Sequence, residues 1–311
     1  MRLLLLGCTG FIGRQLIPDL LNSGHHLIII SRNSSPKLES VQAKDQLTYL
    51  QLDPSEEDSW QNQELVKELA KSNGVINLTG EPIAEKRWSI EQREKIQLSR
   101  LNTTKGLINA MNKIQAPPNV LINASAIGFY GTSQEKIFNE DSPSGEDFLS
   151  SVCQDWESIA LQKPASTRIV ITRIGIVLGA DGGALGKMLP IFRAGFGGPI
   201  GNGKQWMSWI HRRDLCQMIE EALINKKWEG IINAVAPEPE RMSVFSESLG
   251  KVLGKPSLLP VPGPLLKLLL GDGAKIVLEG QNVISKKLDN LKFKFKYPNL
   301  KDALIAINKE E

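Results

Sequence analysis

The chain has 311 residues, of which 41% are hydrophobic and 23% are charged, and its net charge is +3. This balance is typical of a globular protein outside membranes, and the length allows one large domain or a main domain with a smaller one. The small net charge argues against a nucleic-acid partner, since no basic cluster alternates with aromatic residues. The three cysteines form no paired motif, so we expect neither a disulfide framework nor a metal site.

The amino terminus reads MRLLLLGCTGFIG, and its apolar run ends in glycines too early for a signal peptide. No stretch approaches the roughly 18 apolar residues of a membrane span. The later apolar segment PLLKLLLG (264–271) is predicted to be one packed helix face. We therefore expect a cytoplasmic location, or the equivalent stroma or matrix of an organelle.

Short apolar runs alternate with helical patterns through the first 178 residues. Strands are predicted at 3–6, 26–31, 47–52, 74–78, 120–124 and 168–173, and helices at 11–23, 58–72, 89–112 and 147–162. Short, nearly all-apolar strands separated by helices indicate a parallel sheet that is buried on both faces. The predicted fold class is α/β, a Rossmann-type doubly wound sheet with its ligand at the carboxyl ends of the strands.

The composition of the sequence changes at about Gly179, where glycine and proline become frequent. We predict a nucleotide-binding Rossmann domain at 1–178, to which a strand at about 231–236 can return. Residues 179–311 are predicted to form a smaller C-terminal lobe on the substrate side, with a tail domain.

The segment GCTGFIG places glycines at 7, 10 and 13, between a predicted strand and a predicted helix. In this context Gly7 permits a tight turn, Gly10 lets the backbone approach a pyrophosphate, and Gly13 lets helix and strand pack closely. The amino terminus of the following helix favours phosphate groups. The segment therefore predicts a dinucleotide site.

The end of the second strand indicates which dinucleotide binds. Ser31 and Arg32 stand where an acidic residue would hold a ribose 2′-hydroxyl, and a cation beside a hydroxyl suits a 2′-phosphate. This predicts NADP(H), with an ordinary solvated arginine as the alternative. Asp53 either contacts the adenine edge or caps a turn before Pro54.

The sequence resembles the extended short-chain dehydrogenases/reductases. The shared features are the GxxGxxG spacing, Asn77-Leu78-Thr79-Gly80 after the fourth strand, and SRLNTTKGLINAM in the long helix. It is most similar to an atypical "epimerase family protein" branch, which is NAD-dependent epimerase/dehydratase-like with a C-terminal domain of unknown function. The motifs that carry this resemblance are GEPIAEKRW, SAIGFYG, CQDWE, RIGIVLG, GGPIGNG, WIHRRDL, VLEGQNVISKKL and YPNLKDAL.

The resemblance implies a set of cofactor contacts. The residues that it places along the pyrophosphate are Gly7, Thr9, Gly10, Phe11, Ile12 and Gly13. Ser31 and Arg32 would hold the 2′-phosphate, and Leu78, Thr79 and Gly80 would pass beneath the adenine-ribose side. Arg100 would lie near the cofactor, unless it is an exposed helix charge, and Val177 would lie against the nicotinamide end.

The usual catalytic pair of this superfamily is Tyr-x-x-x-Lys on one helix, where the ammonium lowers the pKa of the phenol. In SAIGFYGTSQEK, Tyr130 has a glutamine four residues later, and Lys136 falls outside that register. On the next helix, the tyrosine and lysine positions fall near Leu149 and Cys153. The serine or threonine position falls on Ala126, so all three usual groups are missing.

Four residues remain as candidates for acid–base work: Ser125, Tyr130, Glu157 and His211, with Arg213 and Asp214 nearby. Each has a structural alternative: His211 as a packing or strand-end residue, and Glu157 as a residue that only fixes a loop. Cys153 is expected to be a small core residue because no cation accompanies it. Trp206 and Trp209 either shape a substrate pocket or belong to the core of the smaller lobe.

Two functions follow. The first is an NADP(H)-dependent oxidoreductase or epimerase that acts on a small organic substrate without the usual Tyr/Lys pair. The alternative is a non-catalytic NADP(H)-binding regulator or interaction protein, which resemblance to relatives with cell-division labels would link to cell division. The sequence names neither the substrate nor the oligomeric state.

Overall fold

A seven-stranded parallel sheet forms the centre of the computed structural model, which describes residues 1–33 and 44–309. The strands in these ranges are β1 (Arg2–Leu6), β2 (His26–Ser31), β3 (Leu47–Gln51), β4 (Gly74–Asn77), β5 (Val120–Ala126), β6 (Ile137–Phe138), β7 (Arg168–Ile174), β8 (Ile176–Leu178), β9 (Trp206–Met207), β10 (Trp209–His211), β11 (Gly230–Ala234), β12 (Glu240–Arg241) and β13 (Asn282–Val283).

The helices in the same ranges are α1 (Gly13–Asn22), α2 (Gln63–Lys71), α3 (Ile90–Lys113), α4 (Phe148–Ala160), α5 (Gly183–Arg193), α6 (Arg212–Ile224), α7 (Met242–Leu253), α8 (Gly263–Leu270), α9 (Lys275–Leu278), α10 (Lys286–Leu291) and α11 (Leu300–Lys309). Short 3-10 helices lie at Lys44–Gln46, Glu57–Gln61, Ile127–Tyr130 and Asp272–Ala274. None of the helices within the described ranges is both long enough and apolar enough to cross a membrane.

The sheet has the strand order β3-β2-β1-β4-β5-β7-β11, and every neighbouring pair is parallel. The chain order reverses at β1, which pairs with β2 on one side and β4 on the other. In doubly wound sheets this switch point lies at the ligand crevice. The predicted α/β class is confirmed, and β11 is the returning strand that the sequence predicts near 231–236.

Strand β1 shows how the sheet is covered on both faces. Leu3 and Leu5 belong to the apolar cluster that includes α1 and α6, whereas Leu4 and Leu6 belong to the cluster that includes α2 and α3. All four leucines are fully buried. The alternation follows from the two-residue period of a strand, and it explains why a continuous apolar run forms a central strand here.

A third apolar cluster lies in the C-terminal region and joins α5, α7 and α11. Trp209 is buried in it and donates its ring N–H to the carbonyl of Glu238, so this tryptophan is a core residue. Trp206 is half-buried beneath the Arg241 guanidinium, which lies 3.7 Å from its ring centroid. The domain boundary at 178/179 stays a prediction.

Two predicted helices differ from the structure. Segment 264–271 forms most of α8 as expected, but it packs only in part: Leu266 and Leu270 are half-buried, none of the residues of α8 is fully buried, and Leu268 is 68% exposed. Segment 58–72 is interrupted at Asn62, whose side chain accepts from the N–H groups of Glu64 and Leu65. Asparagine is a favourable N-cap, so α2 starts there as a separate helix.

Candidate functional site

The glycine turn after β1 is tightly packed at both ends and open in the middle. Gly7 has φ +69°, and a Cβ atom there would lie 2.5 Å from Thr79 Cα. A Cβ at Gly13 would lie 1.5 Å from the carbonyl oxygen of Cys8, whereas a Cβ at Gly10 would meet no atom within 4 Å. The open space above Gly10 therefore lies at the carboxyl end of β1, where a phosphate can approach the backbone.

The neighbouring strand supplies a buried hydroxyl to the same place. Thr79 follows β4, and within the described ranges its Oγ1 is buried and has no hydrogen-bond partner. Asn77 Oδ1 accepts from the Thr79 N–H at 3.2 Å. A buried hydroxyl without a partner is uncommon in folded proteins, and a bound polar ligand would satisfy it. Leu78 and Gly80 lie on either side, half-buried and exposed respectively.

The chain that leaves β2 is fixed so that Arg32 faces outward. The side chains of Tyr49 and Gln51, both on β3, donate to the carbonyl groups of Asn33 and Arg32. Arg32 is 66% exposed at its side chain, while Ser31 is buried. The cation is therefore available to an anionic ligand.

Asp53 contributes to a turn. Its Oδ1 accepts from both the N–H and the hydroxyl of Ser55, at 2.9 and 2.7 Å, which corresponds to the turn-cap alternative. Its other oxygen lies 4.0 Å from Arg32 Nε.

Arg100 is not an ordinary exposed helix charge. It is half-buried, it donates to the carbonyl groups of Ile96 and Glu81, and its guanidinium lies 5.4 Å from the Trp156 ring centroid. Burial lowers its pKa. A Cβ at Gly80 would lie 2.8 Å from this guanidinium, so Arg100 packs directly under the chain that follows β4.

Val177 lies on β8, half-buried, and pairs with Ile210 on β10. Thr9, Phe11 and Ile12 are all partly exposed along the glycine turn.

Three of the four acid–base candidates lie in one buried network. Ser125 Oγ donates to Glu157 at 2.6 Å, and Arg173 binds both oxygens of Glu157, at 2.8 and 2.7 Å. A further guanidinium N–H of Arg173 donates to the Tyr130 hydroxyl at 2.9 Å, and Tyr130 donates to Asn233 Oδ1 at 2.7 Å.

The sheet register creates this network. Ser125, Arg173 and Asn233 pair side by side on β5, β7 and β11, and Glu157 reaches them from α4. Tyr130 ends the 3-10 helix that follows β5.

The network is closed to solvent. Ser125, Tyr130, Glu157 and Arg173 are each between 2% and 4% exposed, and the Arg173 guanidinium also lies 3.3 Å from the Phe129 ring centroid. Burial raises the pKa of Tyr130, and the nearby Arg173 only partly offsets that rise. A buried carboxylate needs this kind of pairing with a cation, because an uncompensated charge would be strongly destabilising.

The network continues to the carboxyl-terminal tail. Asn233 donates its side-chain N–H to the carbonyl of Ile284 at 2.8 Å, and its backbone N–H to Glu140 at 3.1 Å. Glu140 also accepts from the Ser285 hydroxyl at 2.5 Å. The network therefore joins the sheet to residues near β13.

His211 lies outside this network. It ends β10, is 1% exposed, and accepts the Arg213 N–H with its Nδ1 at the start of α6. Its ring packs 4.1 Å from that of Tyr297, and its Nε2 has no partner within the described ranges. Burial lowers the pKa of His211 to about 3, and the neighbouring Arg213, Arg212 and Lys296 contribute. Its described contacts are those of a helix cap.

The positions of the usual Tyr/Lys pair hold no replacement acid. Leu149 lies against Gly128, and Cys153 is buried with its Sγ 3.8 Å from the carbonyl of Ala126. Burial raises the pKa of Cys153 to about 11, and Glu157 adds to the rise. Asp214 is also buried, where it accepts the N–H groups of Lys296 and Tyr297.

Arg173, Asn233 and Glu140 belong to the network but were not among the residues predicted from the sequence. The available signal was Arg173 itself, a charged residue near the carboxyl end of a strand predicted to be buried. In a parallel sheet, a charge at that edge needs a partner or a ligand.

The residues at the glycine turn fit a dinucleotide. Gly10 leaves room above the backbone, Thr79 offers an unpaired hydroxyl, and Arg32 offers an exposed cation. Within the described ranges, no group of three or more histidine, cysteine, aspartate and glutamate side chains could hold a metal ion.

Comparisons with known proteins identify the family of the chain. Residues 3–234 match the model of the NAD dependent epimerase/dehydratase family, and residues 261–307 match that of a domain of unknown function. The chain is 44% identical over 303 residues to the chloroplastic epimerase family protein SDR39U1 homolog of Arabidopsis thaliana, covering 97% of this chain and 85% of that protein. It is 37% identical over 308 residues to the epimerase family protein YfhF of Bacillus subtilis, covering 98% and 97% of the two chains.

Two solved structures are also similar. The human epimerase family protein SDR39U1, crystallised with NADPH, superposes with a TM-score of 0.87 at 33% identity and full coverage of both chains. A UDP-glucuronic acid 4-epimerase from Bacillus cereus, in complex with UDP-glucuronic acid and NAD, gives a TM-score of 0.78 at 21% identity, with 100% and 99% coverage. The second likeness concerns the fold alone. This chain belongs to the NAD dependent epimerase/dehydratase family.

Proposed function

We propose that this chain binds NADPH at the glycine turn and uses it for oxidoreduction or epimerisation of a small organic substrate. The observation that carries the proposal is the open space above Gly10 together with the exposed Arg32 at the end of β2. The human relative crystallised with NADPH supports the same cofactor. When bound, NADPH would supply hydride chemistry.

The chain's own residues would bind and orient in this proposal. The turn from Gly7 to Gly13 would hold the pyrophosphate, Ser31 and Arg32 the 2′-phosphate, and Thr79 would donate from beneath the adenine-ribose side. Val177 would lie against the nicotinamide end.

The proposed chemistry also requires a side chain that donates a proton to the substrate. Tyr130 has the one phenol that accepts from a buried cation in the described ranges, and in this respect it parallels the usual Tyr/Lys pair. To act as an acid, its O–H would have to exchange Asn233 for a substrate oxygen. Ser125 and Glu157 are buried and hydrogen-bonded to each other. His211 is buried and accepts from Arg213 with its Nδ1, while its Nε2 has no partner in the described ranges.

A second candidate function is an NADPH-binding regulator without turnover. The closure of the Ser125, Tyr130 and Glu157 network favours it, because a satisfied buried network offers no free acid or base. The link to cell division and the cytoplasmic or organellar location stay predictions, although one relative is named as chloroplastic.

Stopped-flow absorbance of bound NADPH separates the two functions. The enzyme proposal predicts that at least one member of a carbonyl and nucleotide-sugar panel oxidises the bound cofactor. A panel without any change in absorbance, in a protein that does bind NADPH, would favour the regulator.

Replacing Arg32 tests the cofactor preference. Arg32→Asp removes the cation and places a carboxylate where it repels a 2′-phosphate and can accept a 2′-hydroxyl. We expect the ratio of NADPH to NADH affinity to fall by at least about 10-fold, which corresponds to one charge-assisted contact. Equal affinity ratios before and after the change, measured by fluorescence titration, would show that Arg32 does not read the cofactor.

A further inference from the structure

Two arginines share one aspartate beside the glycine turn. Arg14 lies in the first turn of α1, Arg212 begins α6, and Asp181 lies in the loop between β8 and α5. Arg14 Nε lies 3.1 Å from one carboxylate oxygen of Asp181, and Arg212 Nη1 lies 2.5 Å from the other. Arg14 also donates to the backbone carbonyl of Asp181 at 2.8 Å. The carboxylate thus bridges two cations from different helices.

This ionic cluster is in direct contact with the turn. Arg212 Nη1 donates to the carbonyl of Phe11 at 3.2 Å, and its guanidinium lies 4.7 Å from the Phe11 ring centroid. The same ring packs against the loop that carries Asp181, since a Cβ at Gly179, Gly182 or Gly183 would lie within 3.0 Å of it. Asp181 is therefore next to the place where the proposed cofactor would present its phosphates.

The charges of the cluster do not cancel. Arg14 and Arg212 share the one carboxylate of Asp181, so these three groups together carry one net positive charge. Asp19 also interacts electrostatically with Arg212. The Asp181 side chain is 48% exposed, which lets it leave without breaking apolar packing. Arg212 is held more firmly, because its side chain is only 10% exposed and Phe11 lies against it.

We infer that Arg14 and Arg212 bind the diphosphate of the dinucleotide, and that Asp181 is their internal counter-ion, which the diphosphate displaces. This inference rests on the proposed cofactor function and adds residues to it. Arginine forks suit phosphate oxygens, and a doubly charged diphosphate neutralises both cations more completely than one carboxylate does. Asp181 then lowers the affinity for dinucleotides, because each binding event first breaks its two ion pairs.

The test compares wild type with Asp181→Asn in titrations with three ligands. NADPH and NADH both carry the diphosphate, whereas 2′-AMP carries the 2′-phosphate without it. We expect Asp181→Asn to lower the Kd for NADPH and for NADH by the same factor, about 3- to 10-fold, as befits two partly exposed ion pairs. The Kd for 2′-AMP, measured by displacement of NADPH and corrected for the altered NADPH affinity, should stay unchanged.

A matched control and a second variant keep the test interpretable. Asp155 lies on the exposed side of α4, so Asp155→Asn makes the same change of charge away from the cluster and should alter none of the three constants. Arg14→Gln, at a side chain that is 53% exposed, should raise the Kd for both dinucleotides by a similar factor. It serves as the deciding variant if Asp181→Asn does not fold.

The outcomes separate the inference from the function on which it rests. Dinucleotide constants that are unchanged or raised in Asp181→Asn would overturn the counter-ion role. An effect on NADPH but not on NADH would assign the cluster to the 2′-phosphate and overturn the diphosphate assignment. Failure of wild type to bind either dinucleotide would instead refute the proposed function, and the inference with it.

Discussion

The glycine turn and the Glu157 network both lie toward the carboxyl edge of the sheet, but they differ in what they leave unsatisfied. At the turn, the space above Gly10 is open, Thr79 Oγ1 has no partner in the described part of the chain, and Arg32 faces solvent. In the network, Arg173 satisfies both oxygens of Glu157 and the region is shut off from water. The first region therefore leaves polar groups available to a ligand, whereas the polar groups of the second are paired with one another.

The largest effect that we expect is a difference in stability between alanine variants of Gly13 and Gly10. Gly13→Ala would force a Cβ into the Cys8 carbonyl, so it should lower the free energy of unfolding by more than about 4 kcal/mol or prevent folding. Gly10→Ala enters open space and should change that free energy by less than about 0.5 kcal/mol.

Urea denaturation of the two variants measures the difference. Similar losses of unfolding free energy in both variants would mean that Gly10 is packed as tightly as Gly13, which would contradict the open space above Gly10.

The second effect breaks the closed network. Arg173→Met leaves the Glu157 carboxylate buried without a cation, which should cost about 3–5 kcal/mol of stability. Arg173→Met combined with Glu157→Leu removes both charges and should recover most of that loss. Lys251→Met, in the exposed ion pair with Glu247, is the matched control and should have little effect.

Chemical denaturation of the single and double variants completes this cycle. If the loss of unfolding free energy in the double variant equals the sum of the losses in the two single variants, Arg173 and Glu157 do not stabilise each other, and the prediction is wrong.

A third, smaller effect is a dependence of stability on pH that arises from His211. This residue is buried like the network, but its Nε2 has no hydrogen-bond partner in the described ranges. Its pKa in the folded chain is about 3, below the ordinary value of 6.5, because burial opposes its charge. The unfolded chain therefore takes up a proton that the folded chain does not, so this stability is present above pH 6.5 and is lost as the pH falls toward 3. Over most of that interval the slope should be about 1.4 kcal/mol per pH unit.

His211→Asn isolates this contribution, because asparagine can still accept the Arg213 N–H but does not titrate. Denaturation at pH 7, 6 and 5 should show the wild type losing more stability than the variant at each step. Parallel losses would mean that the His211 ring is solvated and available, which would restore it as a catalytic candidate.

The parts of the fold that the sequence predicts well are those that local patterns determine. The spacing of Gly7, Gly10 and Gly13 between an apolar run and a helix describes one continuous segment, so the turn needs no distant partner to be predicted. Strands such as His26–Ser31 have the bounds that their apolar run indicates. Local chemistry decides these elements.

The network could not be predicted in the same way. Arg173 contacts Glu157 at a separation of 16 residues and Tyr130 at 43, and Tyr130 contacts Asn233 at 103. These side chains meet because β5, β7 and β11 pair in a particular register, which short patterns do not specify. The exposure of α8 was also missed, because an apolar pattern does not reveal whether another element covers it.

The central claim is that the open turn, and not the closed network, receives the cofactor. Fluorescence titration of NADPH into wild type, Gly10→Ala and the Arg173→Met/Glu157→Leu double variant tests it most directly. We predict binding by wild type, at least about 10-fold weaker binding by folded Gly10→Ala, and unchanged binding by a folded double variant. Unchanged binding by Gly10→Ala, or its loss only in the double variant, would contradict it.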